Sequence, residues 1–412
     1  MPLLYDLATS LYHAGIRGAA PFHGKARRAI EGRRGLWKRL QVKAPELQGC
    51  VWMHCSSVGE FEQGRPVLEA LQKQWPEKKF LLTFFSPSGY DLFKGTKLAD
   101  HIEYLPFDAA ANADRFVSLL KPSAAIFVKY EFWFYYLDRL KRHNVPTFLV
   151  SAVFRPDQAF FKWYGVLNRK MLKCFTSIMV QDERSAELLR GIGLANVEVT
   201  GDTRLDRVKE IVDRNEELPL LRAFRQRMDG PILICGSTWE ADEELLLPAL
   251  KQLQEMPALV IAPHELGDTR IDALAGKLPQ LVSRWSANRI EENYRTLLID
   301  SIGQLSRAYR YGDVAYIGGG FSDGIHNLLE PAAWGLPVIF GPKHGKFTEA
   351  KALIEAGAGF EVKDRKGLVT ILEKLLSDRE FRERASAAAS AYVERNAGAT
   401  DRTVELIRNY CA

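Results

Sequence analysis

Short apolar runs alternating with helix-like stretches, in two series separated by a polar interval, constrain this chain more than any other feature. The first series is Val51–His54, Phe80–Phe85, Ala124–Val128, Thr147–Val153 and Ser177–Val180. Continuous apolar runs of this length read as strands buried on both faces. Helical segments such as Gly64–Gln74 and Asp182–Gly191 lie between or after them. The rhythm predicts a parallel, doubly wound sheet. It restarts with Ile232–Cys235, Leu259–Ala262, Thr296–Ile299, Val314–Ile317, Val338–Phe340 and Gly359–Val362. The interval from Asp206 to Arg227 is polar, helical and poor in strand formers. At 412 residues the chain is also long for one ordinary domain. The expected division is an N-terminal segment over 1–45, a Rossmann-like domain over 46–210, a linker over 211–228, and a second Rossmann-like domain over 229–412. In open α/β sheets, ligands sit beyond the carboxyl ends of the strands, so residues that follow strands carry the information.

Hydrophobic residues make up 47% of the chain and charged ones 26%, as in ordinary folded proteins. Cys50, Cys55, Cys174, Cys235 and Cys411 show neither CxxC nor zinc-finger spacing, which fits a reducing compartment. A cleaved signal is not expected at the start, and no run of 18 apolar residues occurs. The net charge is only +5, but Arg17, Lys25, Arg27, Arg28, Arg33, Arg34, Lys38 and Arg39 crowd the first forty residues against Asp6 and Glu31. The opening residues, Leu3 to Tyr12, are apolar at helical spacing. An apolar helix beside a basic segment suits an anionic lipid surface. It equally suits a docked helix with a solvated basic turn. Nucleic acid is not expected as a partner, because the rest of the chain is nearly balanced in charge.

The densest cluster follows the run Val314–Ile317. It reads Gly318-Gly319-Gly320-Phe321-Ser322-Asp323-Gly324-Ile325-His326-Asn327-Leu328-Leu329-Glu330-Pro331. Three glycines let a ligand or another backbone approach closely. A helix entered near Asn327 would offer free N–H groups to phosphate. Glu330 in its first turn could accept both hydroxyls of a ribose, or it could close a capping box with Asn327. A further strand then ends at Phe340-Gly341-Pro342. Spacing argues against a dinucleotide fingerprint at Gly318–Gly320, a P-loop at Gly341–Phe347 and a zincin motif at His264-Glu265. The stretch Gly318–Gly341 is therefore the candidate ligand site.

A second cluster follows Val51–His54: Cys55-Ser56-Ser57-Val58-Gly59-Glu60-Phe61. Glu60 stands three residues after Ser57 at a helix start, which is again capping-box spacing. With this string the sequence resembles the bacterial 3-deoxy-D-manno-octulosonic acid (Kdo) transferases of lipopolysaccharide synthesis. The resemblance rests on Ser57-Val58-Gly59-Glu60-Phe61, Lys129-Tyr130-Glu131-Phe132-Trp133, Gly201-Asp202-Thr203-Arg204-Leu205-Asp206, Cys235-Gly236-Ser237-Thr238, and Gly319-Gly320 through His326–Ala333 to Phe340-Gly341-Pro342. These strings occur in family order and reach from Ser57 to Pro342.

The resemblance implies a GT-B fold, two Rossmann-like doubly wound parallel-sheet domains facing a cleft, acceptor side N-terminal. It implies inverting transfer of Kdo from CMP-Kdo to the distal glucosamine hydroxyl of a lipid A precursor (lipid IVA). That work is done at the cytoplasmic face of a Gram-negative inner membrane. Glu60 falls on the family's general base, and Glu131 and Arg204 fall on positions assigned to transition-state stabilisation. The family usually has Lys where Arg204 stands. For CMP the resemblance points to Pro263, His264, Ile302, Gly303, Gln304, Gly319, Gly320, Asn327, Leu328, Leu329 and Glu330. It implies no metal and no cofactor beyond the donor substrate. Two departures stand out: the family commonly reads Pro-Arg-His where this chain has Pro263-His264-Glu265, and Gly-Glu where it has Gly303-Gln304. Lys343, His344 and Lys346 are the nearby cations that could replace the missing charge. The competing expectations are a GT-B transferase with another donor, such as a UDP sugar, and a non-catalytic membrane-surface protein of the same fold.

Overall fold

The computed structural model describes residues 2–411, with side chains from Tyr5 onward. The chain divides into two compact units. One comprises Met1–Asp206 and Gly398–Ala412, the other Arg207–Ala397.

The first unit holds a seven-stranded parallel sheet in the order β3-β2-β1-β4-β5-β6-β7. Its strands are β1 (Val51–Cys55), β2 (Phe80–Phe84), β3 (His101–Tyr104), β4 (Ala124–Val128), β5 (Thr147–Ala152), β6 (Ser177–Val180) and β7 (Val197–Val199). The second unit holds another seven-stranded parallel sheet, ordered β10-β11-β9-β8-β12-β13-β14. Its strands are β8 (Ile232–Thr238), β9 (Ala258–Pro263), β10 (Val282–Arg284), β11 (Thr296–Leu298), β12 (Val314–Ile317), β13 (Val338–Phe340) and β14 (Gly359–Glu361). Strand order reverses between β1 and β4 in the first sheet and between β8 and β12 in the second, where β11 is also inserted between β9 and β10. Such switch points open a crevice at the strand ends.

Every strand expected from the apolar runs is present. Three further strands, β3, β7 and β10, were not legible as runs, and all three lie at sheet edges. An edge strand has a neighbour on one side only, so it need not be continuously apolar. That admits Glu103 in β3, Glu198 in β7 and Arg284 in β10.

Three expected boundaries are corrected. The interval 211–228 is no loose linker. The helix Thr203–Arg214 runs through the junction, and the helix Pro219–Arg227 buries Leu221 and Phe224 completely in the second unit. The last helix, Ala399–Cys411, does not belong with 229–397. Its Val404 and Ile407 enter the core of the first unit beside Phe61 and Leu68. Asp206 fixes the return by accepting from the N–H groups of Gly398 and Thr400, each at 2.5 Å. An amphipathic pattern states that a face is buried, but not which sheet it covers.

The third correction concerns residues 1–45, which form α1 (Pro2–Ala19), α2 (Gly24–Gly32) and most of α3 (Leu36–Leu47). Leu36, Leu40, Ala44 and Leu47 of α3 are core residues of the first unit, so this segment is part of the domain. α1 is docked on the same unit through Tyr5 to Asp108 and Tyr135 to Asp6. The side chains of Leu3 and Leu4 lie outside the described residues. Two of the eight basic residues turn inward. Arg33 donates to the carbonyls of Ala29, Leu105 and Phe85 while lying over the rings of Phe85, Tyr104 and Phe107. Arg39 grips the buried Glu103 through two N–H groups at 2.6 and 2.8 Å. Arg17, Lys25, Arg27, Arg28, Arg34 and Lys38 stay exposed, as do Leu7, Leu11 and Phe22. Among the described residues, no helix is long and apolar enough to cross a membrane.

Candidate active site

In the first unit, Glu60 and Glu131 flank the switch point. Glu60 lies in the first turn of α4 (Val58–Gln74), which follows β1, and Glu131 lies in the loop after β4. Glu60 Oε2 accepts from the N–H groups of Ser56 at 2.5 Å and Ser57 at 3.2 Å. The capping role and an active role are thus compatible, because one oxygen closes the helix start. Oε1 has no hydrogen-bond partner among the described residues. Burial, and then the negative charge of Glu131, push the Glu60 carboxyl up to about 8. The two backbone donors and the Lys129 ammonium pull it partly back. Lys129 itself sits in the left-handed region, at φ 65°, directly after β4. Such a conformation is uncommon for a side chain without a short polar group.

Glu131 is only 4% exposed. Its Oε2 accepts from His54 Nε2 at 2.9 Å and Trp133 Nε1 at 2.5 Å. The partners of Glu131 are thus His54 and Trp133. Arg204 is instead chelated by Asp202, with Nε at 2.9 Å and Nη2 at 2.6 Å from Oδ2. The residue before it, Thr203, is buried and hydrogen-bonded to Gln63 O of α4 at 2.6 Å and to Ser151 Oγ at 2.8 Å. The start of the Arg204 helix is thereby tied to the helix that carries Glu60.

The second unit gathers its candidate residues at the β8/β12 switch point. The three glycines after β12 are required by backbone, not by a ligand. A Cβ on Gly318 would stand 2.4 Å from Ser237 O, on Gly319 2.2 Å from Gly324 O, and on Gly320 2.5 Å from Gly341 N. Gly319 also has φ +91°, open to glycine alone at little cost. The loop is closed on itself by Gly324 N to Gly319 O at 3.0 Å and His326 N to Gly318 O at 3.1 Å. Asp242, fully buried, braces it by accepting from Gly319 N at 2.7 Å and Trp239 N at 2.9 Å through one oxygen.

A helix does follow near Asn327, but its cap is Leu328. The helix is short, Leu329–Ala333, and it starts two residues after Asn327. Pro331 lacks an N–H, and so short a helix carries little dipole. Asn327 instead turns the chain, accepting from Leu329 N at 3.0 Å and donating to Glu330 Oε1 at 3.1 Å. No capping box forms between Asn327 and Glu330, because Leu328 holds the cap position. Leu328 and Leu329 are fully buried, so only their backbones can meet a ligand.

His264 follows Pro263 at the end of β9 and stacks with Trp239 at 4.3 Å and His326 at 4.6 Å between ring centroids. Trp239 Nε1 donates to His326 Nε2 at 2.8 Å, so His326 is a neutral acceptor. Burial and the neighbouring His264 push its imidazole down to about 4. Ile302 and Gly303 lie on an exposed turn after β11, and Gln304 Oε1 accepts from Arg307 at 3.0 Å. Of the replacement cations, Lys343 is committed to the carbonyls of Phe321 and Ser322, and His344 to Glu361 at 2.8 Å. Lys346 is exposed.

The comparisons bear on what this arrangement belongs to. Residues 29–207 match the family described as 3-deoxy-D-manno-octulosonic-acid transferase (kdotransferase). The 3-deoxy-D-manno-octulosonic acid transferase of Aquifex aeolicus is 30% identical over 358 residues, covering 84% of this chain and 93% of that protein. The chain belongs to this family. Another member of the Kdo transferase family, from Haemophilus influenzae, is 28% identical, covering 90% of this chain and 88% of its own. Two solved structures share the fold: the UDP-GlcNAc 2-epimerase of Neisseria meningitidis bound to UDP-GlcNAc and MurG of Acinetobacter baumannii. They align with TM-scores of 0.62 and 0.59, both at 16% identity. Each covers 87% of this chain, and the alignment spans 100% and 99% of theirs. The fold is therefore GT-B, and the family is one of glycosyltransferases.

Sequence reasoning passed over His54, Trp133, Trp239 and Asp242 in this Kdo transferase family member. His54 did leave a signal, as an imidazole inside a strand whose five positions are all buried. Asp242 and Trp239 left none, because their roles depend on a loop from β12, far along the chain.

Proposed function

We propose that this protein transfers Kdo from CMP-Kdo to a glucosamine hydroxyl of a lipid A precursor, with inversion. The observation that carries this reading is Glu60, a half-buried carboxyl with one oxygen held by backbone and basicity raised to about 8. A sugar hydroxyl is a poor nucleophile, and a positioned base near neutral pH is suited to take its proton. In the step proposed, Glu60 accepts the hydroxyl proton as the oxygen bonds to the anomeric carbon. The bond to the CMP phosphate breaks on the opposite face, and CMP leaves with the electron pair. Glu131 and Arg204 act on the charge that develops. The glycine-braced loop, Asn327 and Glu330 receive the nucleotide. His264, stacked on His326, stands where the family commonly carries a further cation.

The exposed Leu7, Leu11 and Phe22 beside Arg17, Lys25 and Arg27 support peripheral attachment to an anionic membrane surface. That reading puts the enzyme at the cytoplasmic face of the inner membrane. No metal is assigned a role. The test is product mass spectrometry with CMP-Kdo and a tetraacyl lipid A precursor, with and without chelator. A Kdo adduct formed in both is expected. No adduct with this pair removes the reading, and tighter binding of UMP than CMP redirects the donor to a UDP sugar.

A further inference from the structure

We propose that His54 is a positioning residue, whose Nε2–H locks Glu131 as an ionised neighbour of Glu60 and thereby sets how strong a base Glu60 is. The inference rests on the reading of Glu60 as the base.

The argument is a count of donors. His54 is fully buried in β1, and a buried carboxylate such as Glu131 needs donors to remain charged. The Trp133 indole can only donate, and it stands nearer Glu131 Oε2, at 2.5 Å, than His54 Nε2, at 3.0 Å. Its proton therefore goes to the carboxylate. The contact of His54 Nε2 with the same oxygen, at 2.9 Å, then requires a proton on Nε2. On the other side of the ring, Trp52 Nε1 donates to Thr83 Oγ1 at 2.8 Å. The hydroxyl proton of Thr83 is left for His54 Nδ1 at 2.9 Å or Met53 O at 3.4 Å, and the nearer is Nδ1. A proton on Nε2 meets the Glu131 contact, while Nδ1 also faces the carbonyl oxygen of Thr83 at 3.1 Å, an acceptor that the neutral Nε2–H tautomer does not serve. The result is a hydrogen-bonded chain of Trp52, Thr83, His54 and Glu131, laid across β1, β2 and the loop after β4. The rings of Phe127 and Trp133, both near-perpendicular to the imidazole at 5.9 and 6.1 Å, hold its plane.

The titratable and charged groups around this chain are Glu131, Glu60, Lys129 and Cys55. Burial pushes the Cys55 thiol well up, so it stays neutral. Lys129 works against Glu131 at Glu60. Without the His54 donor, Glu131 keeps only Trp133 to offset its burial, and its push on Glu60 weakens.

Two substitutions separate positioning from packing. The amide nitrogen of His54→Gln can reach the place of Nε2, whereas that of His54→Asn reaches only the place of Nδ1. His54→Asn is expected to lower kcat for Kdo transfer about 100-fold with KM within about twofold. The ascending limb of its pH–rate profile should move about one unit to lower pH. His54→Gln should recover to within about fivefold and keep the wild-type limb. Equal losses in both, with the limb unmoved, overturn the proposal. Two measurements need no substrate, so they remain decisive if transfer of Kdo itself is not found or if His54→Asn does not fold. Imidazole ¹⁵N shifts of the free protein should report a proton on Nε2 of His54, and an unprotonated Nε2 overturns the proposal. Carboxyl ¹³C titration should place the Glu60 midpoint lower in Glu131→Gln than in wild type, and an unmoved midpoint overturns the coupling.

Discussion

The two switch points do different work with different materials. After β1 and β4, the chain presents ionisable side chains that act on one another: Glu60, Glu131, His54 and Lys129. After β8 and β12, it presents backbone, a glycine loop pressed against Ser237, Gly324 and Gly341, with three stacked rings beside it. A switch point in a parallel sheet supplies each crevice. The difference teaches that acid–base chemistry is tuned through side-chain environment, whereas a cradle is shaped by where the main chain can pass.

That contrast can be broken at either end. The largest effect is expected from Glu60→Gln, which removes the base without changing its size. Kdo transfer should fall roughly 10²–10⁴-fold while the protein stays folded, measured by single-turnover kinetics. Near-wild-type turnover would remove Glu60 from the chemistry. Gly320→Ala tests the other end. Its Cβ meets backbone on Gly341, which cannot yield cheaply, so a loss of about 2–4 kcal/mol is expected. In calorimetry the second unit should melt roughly 5–10 °C lower.

A smaller effect concerns pH. In the wild type, kcat/KM should rise with pH and level off above about 8, because Glu60 must lose its proton to act. The same shift costs stability. The unfolded carboxyl ionises near 4.5 and the folded one near 8, so stability is lost as pH rises through that window. Glu60→Gln should therefore gain stability over wild type at pH 8.5 but not at pH 4, read by urea denaturation at the two pH values. The smallest effect is expected from Gly59→Ala. Nothing lies within 4 Å of the added Cβ, and the position is an ordinary helical one. Its melting temperature should stay within about 1 °C of wild type. A large drop would mean that the first unit, like the second, is shaped by close backbone passage.

Legibility followed the same divide. The central strands were visible because both faces are buried and the run is continuous, as in Ala124–Val128 and Val314–Ile317. The edge strands were not, since Glu103 and Arg284 interrupt them. Glu60, Glu131 and Glu330 could be named because motifs place them just after strands or at helix starts. Their partners could not. Asp242 lies 77 residues from Gly319, whose N–H it accepts, and His54 lies 77 residues from Glu131. The helix expected near Asn327 is present, but Leu328 and not Asn327 takes the cap position.

The sequence by itself determined two parallel, doubly wound domains, the order of their central strands along the chain, and the family's string of motif residues. Burial pattern is a local property, and a few consecutive residues suffice to write it. Only the tertiary structure decided that the last helix returns to the first unit, that Arg33 and Arg39 turn inward, that the glycines serve backbone contact, and that Glu131 answers to His54. Each of these depends on which surfaces meet across many residues of chain. There, hydrogen-bond donors and steric gaps are matched in space, and no local pattern records the match.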